Sequence, residues 1–251
     1  TNKDNLKWGF ANLFLEANKG RFENLTPDFS VAFDSLHISS TEEHVVLTHL
    51  TYKPNISREA FYEKYKYLKV QSSITVQTLH LNGLDFKRVH EGFFADNMVL
   101  DSCMIDVYQD TRKERKPGRV KLPAELLAKA PVPIRMDSLI LKRGHLVYHE
   151  NVKTQKELAF LEAKDLSLKV FPVSNIGDST SADLNMESYG RFMEEAEVTL
   201  NAQFIEDAPD HQFSVQATMR TAGMGRFNPI LLPMTGIYIK SGYCDRINVH
   251  M

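Results

Sequence analysis

Apolar and polar residues alternate one by one through about eleven segments of this chain, and a period of two marks strands that bury one face of a sheet. The segments run Trp8 to Leu15, Ser30 to Ile38, Val45 to Tyr52, Ser73 to Leu81, Phe93 to Tyr108, Ile134 to Tyr148, Leu158 to Phe171, Ala182 to Tyr189, Ala196 to Ile205, Gln212 to Arg220 and Gly236 to Val249. Between them the helical signals are short. Ser57 can cap a turn or two in which Phe61, Tyr65 and Leu68 share a face, Asp85 precedes Phe86 and Val89, and Pro123 and Pro229 stand where a helix start tolerates proline. An α/β enzyme of the Rossmann or barrel kind needs longer amphipathic helices between its strands. The pattern therefore predicts a mainly β fold, an elongated, curled, groove-like sheet with a few short capping helices, in a single β-rich domain or fragment over residues 1–251.

Aligning the strands exposes a repeat. Val31, Phe33, Leu36 and Ile38 are spaced 0, 2, 5, 7, and Ile74, Val76, Leu79 and Leu81 follow the same spacing. So do Ile134, Met136, Leu139 and Leu141, and again Leu161, Ala163, Leu166 and Leu168. The two positions in each gap are polar: Asp34-Ser35, Gln77-Thr78, Asp137-Ser138 and Lys164-Asp165. Four apolar residues at a chosen spacing recur by chance in about eight windows of a chain that is 43 % apolar, so leucine in all four third places carries more weight than the spacing itself. The irregular offsets between copies argue against a fixed-period solenoid and for one sheet with insertions of different size. The change of parity inside each copy predicts either a bulge or an apolar side that switches faces.

Other chemistry is sparse. With 30 Lys and Arg against 32 Asp and Glu, the chain has no global field to recruit nucleic acid. No Gly-x-Ser-x-Gly, His-Glu-x-x-His, Walker loop or dinucleotide fingerprint occurs, and the carboxylates form no conspicuous pair, so an enzyme is not expected and neither is a cofactor. His145 and His149 are the closest histidine pair, but four residues along a strand separate them by about 13 Å, too far for one zinc ion, and no metal site is expected in the chain. Cys103 and Cys244 read as two separate small core residues in preference to a disulfide and leave the redox compartment open. The one dense basic run, Arg112, Lys113, Arg115, Lys116, Arg119 and Lys121, is either a solvated loop or a contact for lipid head groups or other anions. The chain opens on Thr1 and ends while still alternating, so both ends read as cuts, with a targeting segment or membrane anchor expected outside it.

The run Arg119-Val120-Lys121-Leu122-Pro123-Ala124-Glu125-Leu126-Leu127, followed by Pro133-Ile134-Arg135-Met136-Asp137-Ser138-Leu139-Ile140-Leu141-Lys142-Arg143-Gly144 and Val147-Tyr148-His149-Glu150, resembles the AsmA-like envelope proteins of Bacteroides-type bacteria. The resemblance continues through Phe160-Leu161-Glu162-Ala163-Lys164-Asp165-Leu166, Phe227-Asn228-Pro229 and Ile239-Lys240-Ser241-Gly242. It implies a periplasmic β body, held at the inner membrane by one N-terminal helix that this chain lacks, with roles in outer-membrane homeostasis and phospholipid transfer. Its partners would be phospholipid and other envelope proteins. On that reading the sixteen apolar repeat residues are candidates for lipid contact along an apolar groove, at about 0.8 kcal/mol per buried CH₂. The alternative is a structural or interaction module, an assembly factor or adhesin-like β domain, with a closed core and no lipid ligand.

Overall fold

The structure is a computed structural model, and it describes residues 12–26, 28–153, 157–176, 183–205 and 212–251. Twelve strands form one sheet: β1 (Phe14–Thr26), β2 (Phe29–Ser39), β3 (His44–Pro54), β4 (Val70–Asn82), β5 (Phe93–Asp110), β6 (Ile134–Asn151), β7 (Ala159–Phe171), β8 (Val173–Ser174), β9 (Leu184–Phe192), β10 (Ala196–Phe204), β11 (Phe213–Gly223) and β12 (Tyr243–His250). The order follows the chain, with β7 next to β9 and the two-residue β8 paired to the start of β6. Every neighbouring pair is antiparallel except β5 and β6, which are parallel and joined by the crossover 111–133. Because β1 and β12 are the two ends of this path, the sheet is open and mainly β, as the alternation predicted.

The sequence boundaries need some correction. Of the expected strand at Trp8 to Leu15, residues 8–11 lie outside the described residues, as does Ala182, and the first described strand runs on to Thr26. Residues Gly236 to Gly242 are not strand, because the left-handed Gly236 ends a helix there and pairing resumes only at Tyr243. The stretch after Asp85 is a series of turns in place of a helix.

Among the described residues three short helices sit at the two ends of the sheet. We call the end with Asp110 upper and the end with Phe93 lower. Helix α1 (Arg58–Lys64) starts where predicted, with the Ser57 hydroxyl accepting from the Ala60 N–H at 3.2 Å. It closes the upper end, where Phe61 and Tyr62 pack with Phe29 and Tyr108. Asp28 fastens it by accepting from Lys64 at 2.5 Å and from the Tyr65 hydroxyl, and these two donors, Lys64 foremost, hold the Asp28 carboxyl below the usual range. Helix α2 (Pro123–Ala128) lies in the crossover, and Glu125 accepts from the Leu122 N–H at 2.8 Å to cap it. Helix α3 (Asn228–Thr235), preceded by a 3-10 turn (Met224–Phe227), packs back against β7, three strands away from the β11 that it follows.

A single-layer sheet exposes more surface than a compact protein does. The accessible area is 15912 Å², against about 11,000 Å² for a compact monomer of this mass.

Candidate functional site: one apolar face across the sheet

Residues directly opposed in a ladder point to the same side, so the strand pairing can be read across the sheet as rows. One row runs Leu15, Ile38, Val45, Leu81, Met98, Leu139, Val170, Met186, Ala202 and Val215, from β1 to β11. The next runs Ala17, Leu36, Leu47, Leu79, Leu100, Leu141, Leu168, Ser188, Leu200, Ala217 and Val249, from β1 to β12. Only Ser188 interrupts it with a polar side chain. These rows make one face of the sheet apolar from edge to edge.

The parity change in the repeat is a bend that keeps the apolar residues on this face. Val76 and Leu79 are three apart, yet both pack into the cluster that holds Leu50, Leu100, Cys103, Leu141, Leu166 and Leu168. The two residues between them turn to the other side. Such outward polar doublets cross the sheet as Asn18-Lys19, Asp34-Ser35, Thr48-His49, Gln77-Thr78, Asp101-Ser102, Lys142-Arg143 and Lys164-Asp165, one on each of β1 to β7. Five of them carry a residue in the left-handed region: Lys19 (φ 56°), His49 (49°), Ser102 (53°), Arg143 (50°) and Asp165 (53°). Left-handed backbone is unfavourable for residues other than glycine and persists where neighbours over-determine it. Here the doublets bond one another. Ser35 and Thr48 share a hydroxyl hydrogen bond of 2.6 Å, and Arg143 donates to Asp101 at 2.6 Å and to Ser102 at 3.1 Å.

Where the bend brings strands close, glycine provides the space. A Cβ on Gly20 would sit 2.1 Å from the Phe33 ring, and one on Gly144 would sit 2.5 Å from a Leu141 methyl and 3.1 Å from Leu166. Copies one and two of the repeat bend at the same height, on β2 and β4. Copy four, on β7, bends one row higher, and copy three, at Asp137-Ser138, belongs to a second bend beside Asp96-Asn97 on β5.

All sixteen residues predicted to contact lipid lie in strands of this sheet. Phe33, Val76, Leu81, Met136, Leu141 and Ala163 are buried, and Val31, Leu36, Ile38, Ile74, Leu79, Ile134, Leu139, Leu161, Leu166 and Leu168 are half-buried. What covers them differs along the strands. At the lower end Leu84 and Phe86, from the β4–β5 connection, pack over Leu81, Met136, Leu79 and Leu139. Beside them Leu122, Ala124 and Leu127 of the α2 region pack over Leu184, Phe204, Met186 and Leu200. In the middle, the cluster centred on Val76 (2 % exposed), Cys103 (2 %) and Leu141 (5 %) is made, among the described residues, of strand residues of β3 to β7.

The upper end of the face is polar. Gln109 donates to the Tyr148 hydroxyl at 2.5 Å, and that hydroxyl donates to buried Glu150. Burial, and after it the Glu150 carboxylate, push the Tyr148 phenol well above its ordinary range, against the pull of Arg115. Beside this trio a cavity of about 510 Å³ opens between the sheet, at Val70 and Gln109, and the crossover, at Arg115, Arg119 and Val120.

The six basic residues do not act as one patch. Arg112 forks onto Asp110 at 2.8 and 2.6 Å and holds that carboxyl below its usual range, Lys113 donates to the Tyr65 carbonyl at 2.8 Å, and Arg119 pairs with Glu125. Arg115, Lys116 and Lys121 are exposed along the crossover, and the first two line the cavity. The histidine pair is not brought together: His145 meets Glu162 at 2.7 Å, and His149 packs against Phe160. Cys103 and Cys244 are both free thiols, and burial raises the pKa of Cys103. No helix among the described residues is long and apolar enough to cross a membrane.

Sequence reasoning missed that the repeat extends further. Val45, Leu47, Leu50 and Tyr52 on β3 have the same spacing, as do Met98, Leu100, Cys103 and Ile105 on β5, and that spacing was the available signal. Gly20 and Gly144 take apolar places in the rows, where a search for large residues does not count them. Comparison of the chain with models of known protein families and with curated proteins finds no match.

Proposed function

We propose that this chain is a non-enzymatic envelope protein that holds phospholipid acyl chains along the apolar face of its sheet and serves outer-membrane homeostasis. The observation that carries the reading is the pair of apolar rows that cross the sheet from β1, in whose centre, among the described residues, strand side chains alone pack around Val76, Cys103 and Leu141. Such a face offers hydrocarbon a surface like its own bilayer, while head groups stay at the polar upper end near Arg115 and Lys116. The AsmA-like resemblance supports the same reading, in which the chain works on the periplasmic side of the inner membrane. Transfer of this kind breaks no bond, which accords with the lack of a catalytic motif in the sequence.

The structural or interaction module remains the competing reading, favoured by the cover that Leu84, Phe86 and α2 give to the lower end. Purification from an envelope-containing host, followed by chloroform extraction and mass spectrometry, separates the two. Phospholipid at about one molecule or more per chain is expected, and lipid-free protein from such a host would favour the module.

A further inference from the structure

The polar face of the sheet carries a separate site near its β1 edge. His37 on β2 stands opposite Glu16 on β1 and Val46 on β3, while His44 stands opposite Ser39. The two histidines are therefore diagonal neighbours on one face of the β2–β3 hairpin, the arrangement in which side chains from adjacent strands can meet. Their rings stack with centroids 5.1 Å apart, and the Phe14 ring meets His37 edge-on at 5.0 Å. The hairpin turn then brings in a carboxylate. The Glu42 N–H donates to the Ser39 hydroxyl at 3.2 Å, and Glu42 Oε2 lies 3.2 Å from His44 Nδ1.

The geometry points to a binding site for a divalent transition metal, of which zinc is the type, with His37, Glu42 and His44 as ligands. One ligand atom from each residue lies within 4.8 Å of the other two. Tetrahedral zinc with bonds of 2.0–2.1 Å needs its ligand atoms about 3.3 Å apart, so closure asks for a shift of about 1.5 Å at most. Glu42 Oε2 and His44 Nδ1 already stand 3.2 Å apart, so closure falls on the spacing to His37, and the partly exposed His37 ring and the exposed Glu42 side chain can both turn to supply it. Two imidazoles and one carboxylate suit zinc and its neighbours and select against magnesium and calcium, which prefer oxygen. Glu16 Oε1, 3.5 Å from His37 Nδ1, is placed either to complete the coordination or to orient that imidazole from outside it. A metal here would tie edge strand β1, strand β2 and the β2–β3 turn together. The site is on the opposite face from the apolar rows and does not depend on their function.

Metal-stripped protein titrated with zinc chloride in a calorimeter tests the proposal, with magnesium chloride as the control. One zinc per chain is expected, and His37→Gln or His44→Gln should weaken binding by about 100-fold or more, with Glu42→Gln weakening it about 10- to 100-fold. Cobalt(II) added to the unaltered protein gives a second reading that needs no variant to fold. Intense visible absorption from four-coordinate cobalt supports the site, and the weak spectrum of aqueous cobalt overturns it. No saturable zinc binding, or zinc binding unchanged in the doubly substituted His37→Gln, His44→Gln protein, would also overturn it.

Discussion

Substituting glutamate for Leu79 should reduce the phospholipid recovered with the purified protein at least tenfold and leave the sheet folded. Leu79 is half-buried in the second apolar row and packs with both the lower and the central cluster, so it stands midway along the path that an acyl chain would follow. In lipid-free protein a carboxylate at a half-buried position can reach water. Once hydrocarbon lies over it the carboxylate loses that water, and burying an unpaired charge costs several kcal/mol. Each 1.4 kcal/mol is a factor of ten in affinity, which sets the expected drop. Thr78→Glu is the matched control. Thr78 is the adjacent residue in the outward doublet on the polar face, so its variant should carry as much lipid as the unaltered protein. If both variants lose lipid equally, or neither does, acyl chains are not bound on the apolar face.

Gly144→Val is expected to destabilise the fold by about 1–3 kcal/mol, the usual cost of forcing extra methyl groups into a packed site. The glycine is buried where β6 and β7 both bulge, and its missing Cβ leaves room for Leu141 and Leu166. One of the atoms at 3.1 Å is the Leu166 carbonyl oxygen, which cannot turn aside as a side chain can. Relief would have to come from the strands separating, which would open the bend itself. Lys142→Val, two residues away on the polar face and exposed, should change stability by no more than about 0.5 kcal/mol. Urea unfolding of the three proteins measures both differences. A Gly144→Val protein as stable as the original would show that β6 and β7 do not approach this closely.

Much of the fold was legible because a sheet with one apolar face leaves a period of two in every strand. Val31, Phe33, Leu36 and Ile38 disclosed the strand and an irregularity in it, a bulge or a switch of faces, since two polar residues in succession break the alternation without breaking the strand. Two things were harder to read. The order of the strands, including the parallel pairing of β5 with β6, follows from contacts between distant parts of the chain, which no local pattern encodes. The fate of the basic run depended on partners elsewhere: Asp110, Glu125 and the Tyr65 carbonyl engage Arg112, Arg119 and Lys113, and a run of like charges does not announce which of its members are already paired. The cluster of His37, Glu42 and His44 on the polar face was hidden for a related reason, because His37 and His44 are seven residues apart and meet only when the hairpin closes.

Lipid binding requires the apolar face to be open to acyl chains, and site-specific photocrosslinking examines that directly. Photoreactive residues placed singly at Leu79, Leu139 and Thr78 in protein expressed in an envelope-containing host, then irradiated and analysed by mass spectrometry, report what lies over each side of the sheet. Phospholipid adducts at Leu79 and Leu139, with none at Thr78, are the predicted result. No adduct at either leucine, or adducts at all three positions alike, would contradict an acyl-binding face.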